Sequence, residues 1–239
     1  MSAPPADGVR TDEVPGPTRV SVVPLLRRLH FYAGVLVAPF LVVAAVSGLL
    51  YALAPQLDAV LYDDVLEVSS ATGAPRPLAE QVASAQAALP DGVVTAVLVA
   101  DEPDAPTQVV FSLPGLPEDH DRTVYVDPYT ARVRGQLTTW FGSTPVTTWL
   151  DGLHRHLHLG EPGRLYSELA ASWLWVIALG GVVLWLVRRR GARRRVRALF
   201  VPERGAKGVR KTRSWHAGTG MWVLVGTLFL SATGLTWST

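Results

Sequence analysis

The sequence predicts a membrane protein: an α-helical transmembrane bundle of three spans carrying a small extracytoplasmic α+β domain. Three observations lead there. Long apolar runs free of formal charge recur three times, the segment between the first two is acidic with strand and helix periods of its own, and the segment between the second and third is densely basic. Of 239 residues 49% are hydrophobic, and the mean hydropathy is positive, a balance that favours bilayer segments over a soluble globule. Cysteine is absent, which excludes disulfides, iron–sulfur clusters and thiol catalysis.

Residues 1–24 are rich in Pro, Gly and small side chains without an apolar period, and read as a disordered tail. The first span falls in 25–54. Within it Phe31 to Ala54 is 24 residues without a formal charge, ~36 Å of helix against a hydrocarbon core of ~30 Å. A cleaved signal peptide is the alternative, but the run is too long and lacks a small-residue cleavage site. The second span, Leu169 to Val187, carries Trp173, Trp175 and Trp185 and stops at Arg188-Arg189-Arg190. The third, Ala217 to Trp237 within 216–239, is also uncharged.

Orientation follows from the basic residues. Lys and Arg number 4 in residues 1–30, 6 in 55–165 and 12 in 188–213, and 55–165 also holds 15 acidic residues, a net charge of −9. The positive-inside rule puts the N-terminus and the basic loop 188–215 in the cytoplasm and 55–150 outside it. A basic run abutting a span is a topology anchor or an anionic-lipid contact before it is a nucleic-acid site, so the bilayer is the expected partner and no nucleic acid is.

Inside the acidic segment, Leu78, Val82, Ala85 and Leu89 follow a helical period within Pro77–Leu89. Strands are predicted at Val93–Ala100, Thr107–Leu113 and Thr123–Val126, and a turn at Asp127-Pro128-Tyr129-Thr130 leads into Arg132–Gln136. Together these make a small α+β domain over about 75–136.

The stretch 151–160 places three of the six histidines in five residues, directly before the second span. On a helix His154 and His158 are four apart and share one face while His156 points elsewhere, a geometry suited to presenting imidazoles to a metal or a haem. An interfacial cluster without a ligand explains the spacing equally well. His120, among Glu118, Asp119 and Asp121, reads as a solvated loop residue. Trp140, Phe141 and Trp149 read as an interfacial belt, with the wall of a cofactor site as the alternative. Arg155 and Arg164 suit haem propionates or lipid phosphates alike.

The order helix, strands and Val124-Tyr125-Val126-Asp127-Pro128-Tyr129-Thr130 resembles a PepSY domain, and the flanking spans resemble the PepSY-associated transmembrane family. The more specific parts are Leu29-His30, Leu153-His154-Arg155 with Leu157-His158-Leu159-Gly160, and Trp215-His216. That family includes haem-containing inner-membrane reductases linked to siderophore iron, alongside many members of unknown role. The resemblance therefore implies a multi-pass protein of a bacterial inner (cytoplasmic) membrane bearing haem b, with ferric-siderophore reduction as one activity. The family usually continues into a second outer segment and a fourth span; this sequence stops at Thr239.

An internal repeat supports the haem reading from the residues themselves. His30, Gly34 and Ser47-Gly48-Leu49 match His216, Gly220 and Thr233-Gly234-Leu235, with the same offsets of 4 and 17. A glycine one turn from each histidine removes bulk on one face and leaves room for a flat macrocycle. His30 and His216 are thus expected to ligate an inner haem, and His154 or His158 an outer one. Catalytic residues are not identifiable. No flavin or nicotinamide motif is present, so a redox role needs an external electron donor such as quinol or a reductase partner, with a ferric siderophore as acceptor. The competing class is a non-redox module whose PepSY-like domain binds or regulates an extracytoplasmic partner while the spans anchor it.

Overall fold

The computed structural model describes residues 21–68, 72–99, 102–189 and 200–236. They form two compact units, one made of the stretch up to Val35 with Leu174–Phe229, the other of Leu36–Trp173 with the stretch from Leu230. Three long helices run through them: α1 (Val23–Ala52), α6 (Glu161–Arg189) and α7 (Gly208–Thr236). Short helices α2 (Ala54–Leu61) and α3 (Asp63–Leu66) follow α1, and α4 (Leu78–Ala88) and α5 (Pro145–His156) flank four strands, β1 (Val93–Leu98), β2 (Thr107–Ser112), β3 (His120–Val126) and β4 (Val133–Trp140).

Among the described residues, α1 and the Glu161–Val187 part of α6 are long and apolar enough to cross a bilayer. Only 17% and 22% of their apolar windows are buried within the chain, so most of that surface faces outward, unlike a soluble core helix. The expected third span falls on α7 and ends at Trp237, which lies outside the described residues. Two boundaries differ from expectation. Helix α1 begins at Val23, inside the expected tail, whose residues 1–20 lie outside the described ones. Helix α7 begins at Gly208, inside the expected basic loop, of which 190–199 lie outside. Lys and Arg are good helix formers, and the first turns of α7 are tied down. The Glu203 backbone N–H donates to Ser214 Oγ at 2.6 Å, and Arg210 pairs with the Glu203 carboxylate at 2.8 Å.

Within the acidic segment the predicted helix and four strands appear in the predicted order. Its sheet is an antiparallel meander, β1-β2-β3-β4. Alternation along β2 sends Val109 and Phe111 to one face, where with Val124 and Val126 they pack against Ala85, Val82 and Leu89. Burying side chains of this size contributes roughly 1.5–3 kcal/mol each. Strands β3 and β4 are longer than predicted, because His120 and Asp121 pair with Trp140 and Thr139. Cross-strand pairing extends both past the β-branched cores that mark them in sequence.

The face opposite α4 is also covered. A Cβ on Gly135 would lie 2.7 Å from Val65 Cγ2, so α3 packs directly on the β4 backbone. Tyr125, only 2% exposed, has its hydroxyl pushed up to about 12 by burial and then by the charges of Asp58 and Tyr62. The folded state therefore holds the proton between pH 10 and 12, where an unfolded chain releases it. Stability conferred by neutral Tyr125 should be intact below pH 10 and fall as the pH rises to 12, by roughly 2–3 kcal/mol. Phenolate absorbance and chemical denaturation across that range will read it, and Tyr125→Phe should flatten the decline. A decline of equal size in the variant would assign it elsewhere.

Candidate functional site

Histidines gather at two places, one in each unit. In the first, the His30 and His216 rings stand 6.2 Å apart between centres with their planes at 66°. His30 Nδ1 lies 3.0 Å from the Ile177 carbonyl oxygen. A carbonyl only accepts, so Nδ1 carries the proton and Nε2 keeps the lone pair that a metal needs. Two imidazoles on opposite sides of one metal ion, each nitrogen ~2 Å from it, have ring centres roughly 6 Å apart. The pair stands at that separation, and a ligating histidine commonly donates its other nitrogen to a backbone carbonyl.

The space beside the pair comes from glycine. A Cβ on Gly34 or Gly220 would meet nothing within 4 Å, leaving open room one turn from each histidine. On α6, Gly181 does the reverse: its Cβ would come 3.1 Å from His30 Cε1, so the imidazole rests directly on the helix backbone. The first two glycines are legible from the repeat. Gly180-Gly181 lies outside it, though a glycine pair within an apolar run is a signal of close helix approach.

The second place is α5 and the turn after it. Thr144 caps α5, accepting from the Thr147 N–H at 3.3 Å, and donates to Asp58 Oδ1 at 2.7 Å, which ties the helix start to α2. Pro145 supplies a helical φ at the first position. The helix ends at His156 rather than continuing through the cluster, because Leu157 and His158 both adopt left-handed backbone, with φ of 55° and 54°. The shared face expected for His154 and His158 is therefore not formed. The cause is a turn built from non-glycine residues, which carries no sequence signature.

His154 instead docks on α1. Its Nδ1 is 3.1 Å from Ser47 Oγ, and a Cβ on Gly48 would lie 3.3 Å from its Cε1. Ser47 is fully buried and its hydroxyl donates to the Val43 carbonyl at 2.8 Å, so Oγ accepts from His154 Nδ1–H and leaves Nε2 with the lone pair. The Ser-Gly of the first repeat copy thus holds an imidazole. In the second copy, Gly234 and Leu235 lie outside the residues whose side chains are described, while Ser231 donates to the Ala171 carbonyl at 2.7 Å.

His158 folds back over α5, and with His156, His120, Trp140 and Trp149 it lines a cavity of about 510 Å3. Trp149 and Trp140 thus line this cavity from the α5 and β4 sides. His120 opens β3, its Nδ1 donating to the Glu118 carbonyl at 2.7 Å, rather than sitting in a loop. Arg155 pairs with Asp151 at 3.6 Å, and Arg164 with Glu161 and Glu168, so both arginines are engaged within the chain.

The sequence model of the family described as PepSY-associated TM region matches residues 27–239. The chain belongs to this family. The match spans the long helices, the α+β domain and every histidine singled out above. No curated protein matches the chain. As a PepSY-associated membrane protein it has the bilayer as its immediate surroundings.

Proposed function

We propose that this chain is an integral membrane b-type haem protein that passes electrons across the inner membrane to an extracytoplasmic ferric chelate of the siderophore class. The observation carrying the proposal is the His30–His216 pair: ring centres 6.2 Å apart, His30 protonated on the nitrogen facing Ile177, and open room beside both residues at Gly34 and Gly220. The two imidazoles would hold a haem between them, and the group would supply one-electron chemistry there. The chain's own part is to orient the His30 imidazole, with Nδ1 on the Ile177 carbonyl and the ring against the backbone at Gly181.

His154, with Nε2 available and Nδ1 fixed by Ser47, is assigned as a ligand of an outer haem. His158 no longer shares its face and is released from that role. The proposed topology has three spans, with the N-terminus and the basic loop in the cytoplasm and the acidic α+β domain outside, a reading supported by the charge distribution. Electrons come from an external donor, a quinol or a reductase partner, since the chain has no motif for a flavin or nicotinamide.

The visible absorption spectrum of the purified protein, oxidised and then reduced, tests the reading. Sharp reduced bands of a haem with two imidazole ligands are expected. A featureless spectrum after expression with iron and haem precursor would overturn it and leave a non-redox anchored module that engages an extracytoplasmic partner.

A further inference from the structure

We propose that His156 and His158 form a binding site for a divalent transition ion of the copper–zinc class, opening into the cavity beside α5. The site does not depend on the haem reading. Two consecutive non-glycine residues in left-handed backbone, Leu157 and His158, bring the chain back over α5; such residues cost on the order of 1 kcal/mol each and persist where surroundings fix them. The reversal stacks the His158 ring on Trp149, 5.0 Å between centres, and sets its Nε2 2.9 Å from the Trp149 carbonyl oxygen. That carbonyl can only accept, so Nε2 carries the proton and Nδ1 is the nitrogen with the lone pair. The ring is thus oriented from behind by a backbone carbonyl, as metal-ligating imidazoles are.

His156 supplies the second donor. Its Nδ1 is buried and has no hydrogen-bond partner, a state that costs ~1–3 kcal/mol when nothing compensates it. The two rings converge over Gly152: a Cβ there would lie 2.7 Å from His158 Cε1, 3.2 Å from His158 Nδ1 and 3.3 Å from His156 Cε1. The Cε1 edges of both imidazoles and Nδ1 of His158 therefore lie close over Gly152, an approach that only a glycine allows. Ring centres are 5.7 Å apart and the planes nearly perpendicular. Two imidazoles sharing an ion at ~2 Å per nitrogen span ~4.5 Å at a right-angle arrangement and roughly 6 Å at a linear one, so this pair matches a bent coordination.

Imidazole nitrogens without thiolate suit Cu2+, Zn2+ and Ni2+, and the usual affinity order puts Cu2+ first. Among the described residues no group of three or more His, Asp or Glu is already placed to hold an ion. The remaining positions therefore belong to water or to donors the ion brings with it, and the cavity of about 510 Å3 gives them room. Affinity should accordingly be lower than at a closed structural zinc site.

The test is Cu2+ titration of the full-length protein in detergent after chelator treatment, read by calorimetry and by electron paramagnetic resonance. One ion per chain with nitrogen hyperfine structure is expected. His156→Gln and His158→Gln should each weaken that binding at least tenfold, whereas His120→Gln should not, and each variant's circular dichroism will show that it is folded. A second readout is Cu2+-induced thermal stabilisation, which should vanish in both variants. Unchanged Cu2+ affinity in the folded His156→Gln/His158→Gln double variant, or no such ion in the parent, would overturn the site.

Discussion

His30→Ala and His216→Ala are each expected to remove the same haem, and the double variant to lose no more than either alone. Both side chains act on one ion in the proposed arrangement, so deleting either ligand breaks one common site, and the effects cannot add. Haem-to-protein ratio and low-temperature absorption would show it. Gly181→Val sharpens the result because it leaves both histidines in place. Its Cβ would come 3.1 Å from His30 Cε1, displacing the imidazole and reducing haem content without removing a ligand. Undiminished haem in both histidine variants would reject the pair as ligands.

The largest stability loss from a single methyl group is expected at Gly163. A Cβ there would run into the carbonyl oxygen of His156, which already accepts from the Leu159 N–H at 2.9 Å. Neither partner is the end of a flexible side chain, so the start of α6 must part from the end of α5. Gly163→Ala should cost on the order of 3 kcal/mol or more, the upper range for overpacking. Gly160→Ala makes the comparison: its φ of +63° disfavours a side chain, yet nothing lies within 4 Å, so the cost should stay near ~1 kcal/mol. Thermal unfolding in detergent would rank the two. Equal melting temperatures for Gly163→Ala and the parent would mean that the α5–α6 junction yields freely.

The contrast between these glycines shows what sequence reading reaches. The helix at Leu78–Ala88 and the strand positions are legible, because apolar periods of 3.6 and 2 reflect burial on one face. The spacing that links His30 with Gly34 and His216 with Gly220 is legible as a repeat. The end of α5 is not, since its reversal uses Leu157 and His158 where a glycine would have marked it. Nor is the seat of His154 on Ser47 and Gly48, 107 residues away along the chain from its hydrogen-bond partner. Local pattern carries local structure; contacts made by tertiary packing leave no periodic trace.

The β1-β2-β3-β4 order means that every strand bonds only to its neighbour in sequence. Pairings of this kind close short loops, which keeps contact order low and assembly fast. All four strands and α4 also come after α1 and before α6 in the chain. During synthesis the domain therefore has its whole sheet available before the second long apolar helix has been made. It should mature as an independent first step, so that a defect confined to α6 or α7 would leave a folded, protease-resistant sheet domain behind.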